Sequence, residues 1–166
     1  MRSFTPEQML IAFTLEQRLY DFIAEMDLRD YANIGDFYTE DCEFQAGPNL
    51  IKGRDAIVGF YAVRNENVAK YQKDGARTGR HTFVNVRCVF GDDPARATLH
   101  FTNVNYAGEG KAPVSGLQGP SMIADCRMEC RIDTDGSWRF SGFYPSSALV
   151  GEDDFMKKML ALSQAK

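Results

Sequence analysis

The hydrophobic period of this 166-residue chain changes once, from helical before Gly79 to alternating after it, and that order constrains the fold more than any single motif. In the first part, Thr5-Pro6-Glu7-Gln8 supplies an N-cap, a proline at the first helical position and a capping-box glutamine. Ile11, Leu15, Leu19, Phe22 and Met26 recur at helical spacing, which predicts a long helix over about 6–26. Asp27-Leu28-Arg29-Asp30 reads as a break, with Asp30 capping a short second helix through Tyr31, Ile34 and Phe37. Ala46-Gly47-Pro48-Asn49 is hairpin chemistry between Cys42–Gln45 and Leu50–Lys52, and Ala56, Ile57, Phe60, Tyr61 and Val68 mark a third helix.

After Gly79, strands are predicted over about 80–90, 96–106, 122–132 and 138–144, separated by turn-forming or glycine-rich segments. Strands joined by short turns run antiparallel. Helices followed by a meander therefore predict an α+β domain, with helices on one face of a curved sheet and the other face left to solvent or a partner. Glu152–Leu162 places acidic residues first and Lys157-Lys158 later, the order a helix dipole favours, so a short C-terminal helix is expected over about 152–163. No repeat or linker divides the chain, which predicts a single domain over 1–166 with its core at about 6–147.

Charge and residue counts narrow the chemistry. Lys plus Arg (19) against Asp plus Glu (23) gives a net charge of −4, which argues against a chain built for nucleic-acid backbones or anionic membranes. No apolar run reaches the length of a membrane span and no signal-peptide core is visible, so a cytoplasmic location is expected. Cys42, Cys88, Cys126 and Cys130 read as reduced core thiols; Cys126 and Cys130 share a strand face at roughly 13 Å, too far for a disulfide. His81 and His100 are the only histidines, and no His-Glu-X-X-His or Cys-X-X-Cys occurs, so no metal site is expected. Nor is there a Gly-X-Gly-X-X-Gly or Walker loop to hold a nucleotide cofactor.

Strand alternation sorts the polar residues. His81, Phe83, Asn85 and Arg87 share one face, Thr82, Val84, Val86, Cys88 and Phe90 the other, and composition leaves either able to point inward. Ala97, Leu99, Phe101, Asn103 and Asn105 form one face of the next strand, which puts His100 on the opposite one. Met122, Ala124, Cys126, Met128 and Cys130 read as packing, and Asp125, Arg127, Glu129 and Arg131 as an outward charge ladder. Asp27 stands at the end of the first helix, where the dipole opposes a carboxylate, so either a turn or a partner elsewhere holds it. Tyr20, two turns before Asp27 and on its side of the helix, offers either a phenol to a substrate or a core ring, and Phe13 lies on the same stripe.

Three stretches, Met26-Asp27-Leu28-Arg29-Asp30-Tyr31, Phe37 through Phe44, and Gly53-Arg54-Asp55-Ala56-Ile57, resemble the opening of the SnoaL-like group of the nuclear-transport-factor-2-like superfamily. Arg80 through Val86, Gly91-Asp92-Asp93-Pro94-Ala95-Arg96-Ala97 and Asp135-Gly136-Ser137-Trp138-Arg139-Phe140 continue the resemblance in order. It implies a conical roll: a strongly curved, mainly antiparallel sheet with three N-terminal helices on its concave face, enclosing an apolar pocket. It also implies a role for His81 as general acid/base and for Asp27 as its partner, as in scytalone-dehydratase-like and bile-acid-dehydratase-like members. The chain departs from those lyases where their phenols stand, at Phe22 and Met26, and has Asn103 where the bile-acid pattern carries an aspartate.

The expected function is that of a cofactor-independent lyase or isomerase, of dehydratase, isomerase or cyclase type, acting on a small apolar oxygenated substrate, whether aromatic, polyketide or steroid-like. Tyr20, Asn85 and Asn103 are the expected polar contacts, and Phe13, Phe60, Leu99 and Phe101 the pocket walls. The rival is a non-catalytic ligand-binding or assembly domain, such as the small subunit of a ring-hydroxylating dioxygenase. A homodimer or homotrimer through the outer sheet face is expected in either case.

Overall fold

The computed structural model describes residues 3–117 and 119–158. Helix α1 spans Pro6–Leu28 and starts on the expected capping box. Thr5 Oγ1 accepts the Gln8 N–H at 3.2 Å, and Gln8 Oε1 accepts the Thr5 N–H at 3.0 Å. Leu15, Leu19, Phe22 and Met26 form its buried stripe. Phe22 anchors the core, its ring edge-on to those of Phe37, Tyr38, Phe140 and Phe143 at 5.4–6.0 Å.

After α1 the backbone differs from the expectation. Asp30 does not cap a helix; it and Tyr31 are left-handed, with φ of 50° and 64°, and a 3-10 turn follows at Ile34–Phe37. The buried Glu25 pins this reversal. Its carbonyl accepts the Tyr31 N–H at 3.2 Å, and its carboxylate accepts the Asn33 N–H and pairs with Arg29 at 3.6 Å. Strands β1 (Tyr38–Ala46) and β2 (Asn49–Lys52) make the hairpin, closed by Gly47-Pro48 with Ala46 opposite Asn49. Helix α2 (Arg54–Tyr71) buries Ile57, Tyr61 and Val68 and packs on β1.

The second half is the meander: β3 (Arg77–Phe90), β4 (Arg96–Glu109), β5 (Met122–Ile132) and β6 (Trp138–Val150). The sheet order is β2-β1-β6-β5-β4-β3, antiparallel except for the parallel β1–β6 pair that joins the two halves of the chain. Register shifts in the β1–β6, β3–β4 and β5–β6 pairs bend the sheet, and α1 lies across β3 on its concave side. The alternation of β4 and β5 is as read, with Ala97, Leu99, Phe101, Asn103 and Asn105 buried together with Ala124, Cys126, Met128 and Cys130.

Beyond β6, Asp153 accepts the Met156 N–H at 3.1 Å and starts a helical stretch at 154–158. The remainder of the expected C-terminal helix lies outside the described residues. Asp153 also forms an ion pair with Arg77 in which both side chains are buried, and the Arg77 guanidinium covers the Phe155 ring at 4.7 Å. None of the described helices is long and apolar enough to cross a membrane.

Candidate active site

The last turn of α1 meets the start of β3 through a carboxylate and an imidazole. Asp27 Oδ1 lies 2.6 Å from His81 Nδ1, and Asp27 Oδ2 accepts the backbone N–H of His81 at 2.7 Å. The two side chains are 5% and 15% exposed, respectively. Arg80 donates to the Asp27 carbonyl at 3.1 Å. The helix dipole that opposes Asp27 is therefore offset by two short bonds from β3. With the carboxylate ionised, Nδ1 carries the ring proton and Nε2 is left as the acceptor. No group among the described residues hydrogen-bonds Nε2.

Strand register fixes what stands beside the imidazole. His81 is opposite Asn105 and Phe83 is opposite Asn103, so the two carboxamides share its face of the sheet. Asn103 is 5% and Asn105 9% exposed, and neither side-chain oxygen has a hydrogen-bond partner, although buried polar atoms are ordinarily satisfied. A continuous run of rings leads away from His81. Phe83, Phe101, Phe143, Phe44, Tyr61 and Tyr31 follow one another at centroid separations of 4.5–6.4 Å. Burial pushes the Tyr31, Tyr38 and Tyr61 phenols above their ordinary value, so all three are neutral hydrogen-bond donors.

Of the residues singled out from sequence, Asp27 and His81 meet, and Asn103, Phe101 and Leu99 are buried on one face of β4, with Asn103 opposite Phe83 and Leu99 farther along, opposite Cys88. Four others fall elsewhere. Asn85 is exposed because a bulge interrupts β3: its φ is 57° and the register shifts between Val84 and Arg87. The extra residue reverses the parity, so Phe83 points inward before the bulge and Val86 and Cys88 after it. Tyr20 is 43% exposed and donates to Glu16 at 2.5 Å, bonding along its own helix rather than into the interior. Phe13, 60% exposed, lies one stripe away from the buried Leu15 and Leu19. It lines a surface cleft of about 800 Å³ with Trp138 and Arg139. Phe60 is 36% exposed and flanks the aromatic run, edge-on to Phe44 at 5.5 Å and to Tyr61 at 5.3 Å.

Sequence reasoning passed over Asn105, Tyr31 and Tyr61. Asn105 was visible as the neighbour of Asn103 in the alternation of β4, whereas nothing local announces that Tyr31 turns inward. A second cleft, of about 560 Å³, runs between Ala12 and Glu16 of α1 and the post-bulge residues Val86, Arg87 and Cys88. Neither cleft is lined by Asp27 or His81. Among the described residues no group of three or more His, Cys, Asp and Glu side chains is arranged to hold a metal ion.

Comparison with solved structures finds this architecture repeatedly. A candidate scytalone dehydratase from Novosphingobium aromaticivorans superposes with a TM-score of 0.71 at 16% identity, covering 90% of this chain and 92% of its own. A Catenulispora acidiphila protein in complex with S-DNPA gives a TM-score of 0.66 at 18% identity, covering 93% of this chain and 99% of its own. An NTF2-like protein with a cystatin-like fold, also from Novosphingobium aromaticivorans, gives 0.64 at 18% identity, covering 84% and 82%. A comparison with curated protein sequences finds no match. At such identities the likeness is one of fold, but the SnoaL-like domain profile matches residues 15–144. That span runs from the buried stripe of α1 to the last inward residues of β6, and the chain belongs to the SnoaL-like domain family.

Proposed function

We propose that the protein is a cofactor-independent lyase or isomerase that moves a proton next to a carbonyl on a small, apolar, oxygenated molecule. The observation that carries this reading is the 2.6 Å contact between His81 Nδ1 and Asp27 Oδ1 on a concave, aromatic-lined face. Asp27 fixes the ring orientation and tautomer and stabilises the imidazolium that forms when Nε2 accepts a proton. In an elimination, Nε2 takes the proton from the carbon next to the carbonyl and that C–H pair becomes the new C=C bond. The β-carbon–oxygen bond then breaks, and the oxygen leaves as water carrying the proton returned by Nε2. In an isomerisation the same proton returns to another carbon. No step draws on a metal or a redox partner. Asn103 and Asn105, with their unpartnered oxygens, are suited to hold substrate hydroxyls.

The dehydratase-like relative and the ligand-bound relative support the reading at the level of fold. One observation favours the binding-only alternative: neither of the two clefts described above is lined by Asp27 or His81. Turnover separates the two. A panel of β-hydroxy ketones, with 3-hydroxy-1-tetralone among them and water loss followed by the absorbance of the naphthol product, should be converted by the wild type. His81→Ala should slow it by about 10²–10⁴-fold. Equal rates for the two proteins would remove His81 from the mechanism, and no turnover of any member leaves the binding-only reading.

A further inference from the structure

Helix α1 ends without a cation of its own. Its last turn, which carries Asp27, has no basic residue, although a positive charge there would offset the dipole. The last four carbonyls of a helix have no partner within it, and those of Glu25 and Asp27 find theirs outside. Glu25 accepts the Tyr31 N–H at 3.2 Å, and Asp27 accepts a hydrogen bond from Nη1 of Arg80 at 3.1 Å. The same nitrogen donates to the Gly79 carbonyl at 2.6 Å. One exposed guanidinium thus bridges the end of α1 and the backbone of β3.

Arg80 and His81 are neighbours on β3, so this bridge belongs to the geometry of the Asp27–His81 pair. The two elements are joined at three points: Arg80 Nη1 to the Asp27 carbonyl, the His81 N–H to Asp27 Oδ2 at 2.7 Å, and His81 Nδ1 to Asp27 Oδ1 at 2.6 Å. A carboxylate that must meet two donors at once tolerates little shift of its own backbone. Yet Asp27 is the penultimate residue of α1, where helices fray, and the chain beyond it reverses through the left-handed Asp30 and Tyr31. Among the described residues, only Arg80 bonds the Asp27 backbone from another element.

We propose that Arg80 is a positioning residue for the pair: it holds the last turn of α1 so that Asp27 keeps His81 in the Nδ1–H tautomer, with Nε2 free to accept a proton. The inference rests on the reading of Asp27 and His81 as an acid/base pair, but its direct consequence, the tautomer, can be measured whether or not the protein is catalytic. An imidazole without such a partner favours the Nε2–H form, which presents a donor where the reaction needs an acceptor. Because a single nitrogen of Arg80 makes both contacts, a lysine ammonium is able to replace it, unlike at a two-pronged site.

The tautomer is read from the ring-nitrogen resonances of nitrogen-15-labelled protein at the alkaline end of the titration. His81→Ala identifies the signals, since His100 is the only other histidine. Wild type should show the proton on Nδ1. Arg80→Met, which has no donor, should shift the ring toward Nε2–H and lower kcat about tenfold while KM stays within about twofold. Arg80→Lys should restore the wild-type tautomer and most of the rate. A merely structural contact would lower the unfolding temperature of Arg80→Met and leave the proton on Nδ1, and that result overturns the proposal. So does an Arg80→Lys protein no nearer to wild type than Arg80→Met. A wild type with the proton on Nε2 removes the proposal together with the acid/base reading. A tautomer that shifts in Arg80→Met, in a protein that turns nothing over, sustains the positioning role and removes only catalysis. Should Arg80→Met fail to fold, Arg80→Gln, shorter and uncharged, takes its place with the same readings.

Discussion

Two kinds of residue in the interior behave differently toward protons and reagents. Burial pushes the Cys42 and Cys88 thiols up to about 11 and Cys126 to about 12, with Cys130 shifted further in the same direction. All four should therefore be inert to a disulfide reagent at pH 8 in the native protein and should react together once it is unfolded. The sign of the linkage follows. Unfolded thiols ionise near about 8.5, below the folded values, so above that pH the unfolded state holds fewer protons and stability falls as pH rises. Cys126→Ala and Cys130→Ala should flatten that alkaline decline in equilibrium unfolding. Asp27 and His81 face each other instead of apolar neighbours. Asp27→Asn keeps a hydrogen-bonding side chain but removes the charge that fixes the ring tautomer, so turnover should drop about 10²–10⁴-fold with little change in fold. Unchanged turnover in Asp27→Asn would reduce the carboxylate to a structural contact.

Regular alternation gives the faces of β4 and β5 correctly, but it fails on β3 because one residue breaks the count. The bulge at Asn85 reverses the strand's parity, and with it the fate of every later side chain. Asn tolerates the left-handed region better than most residues, which makes the bulge permissible without making it readable from Val84-Asn85-Val86 alone. Asn85→Gly should be neutral or slightly stabilising in chemical denaturation, and Asn85→Val should cost about 1–2 kcal/mol. Equal stabilities would mean that the backbone relaxes out of the bulge. The reversal after α1 makes the same point from the other direction. Glu25→Ala leaves the Asn33 N–H and the Arg29 side chain without their partner, which should destabilise the protein by about 1–3 kcal/mol.

Across the whole molecule, the Arg77–Asp153 pair ties the C-terminal segment to the first residue of β3. With both side chains buried, removing one partner leaves an uncompensated charge, and Asp153→Ala should cost about 3–5 kcal/mol and hasten proteolysis beyond Val150. The outer sheet face carries the ladder Asp125, Arg127, Glu129 and Arg131, together with the half-buried Thr98, His100, Thr102 and Val104. A face left uncovered by helices is expected to pair with a second copy. Light scattering at micromolar concentration should give a multiple of the monomer mass, and a monomer would count against that assembly.

The sequence by itself determined the α+β class, the capping box of α1, the hairpin at Gly47-Pro48, and the inward faces of β4 and β5. Each of these follows from a local signal: a capping pair, a turn dipeptide or an unbroken period. The resemblance, rather than periodicity, pointed to Asp27 and His81, and the fold brings them within hydrogen-bonding distance. Only the tertiary structure decided that Asn85, Tyr20, Phe13 and Phe60 lie outside the interior and that Tyr31 and Asn105 lie within it. Those outcomes depend on a bulge, on a left-handed turn held by a buried carboxylate, and on cross-strand register. All three are set by contacts between residues far apart in the chain, which no local period records.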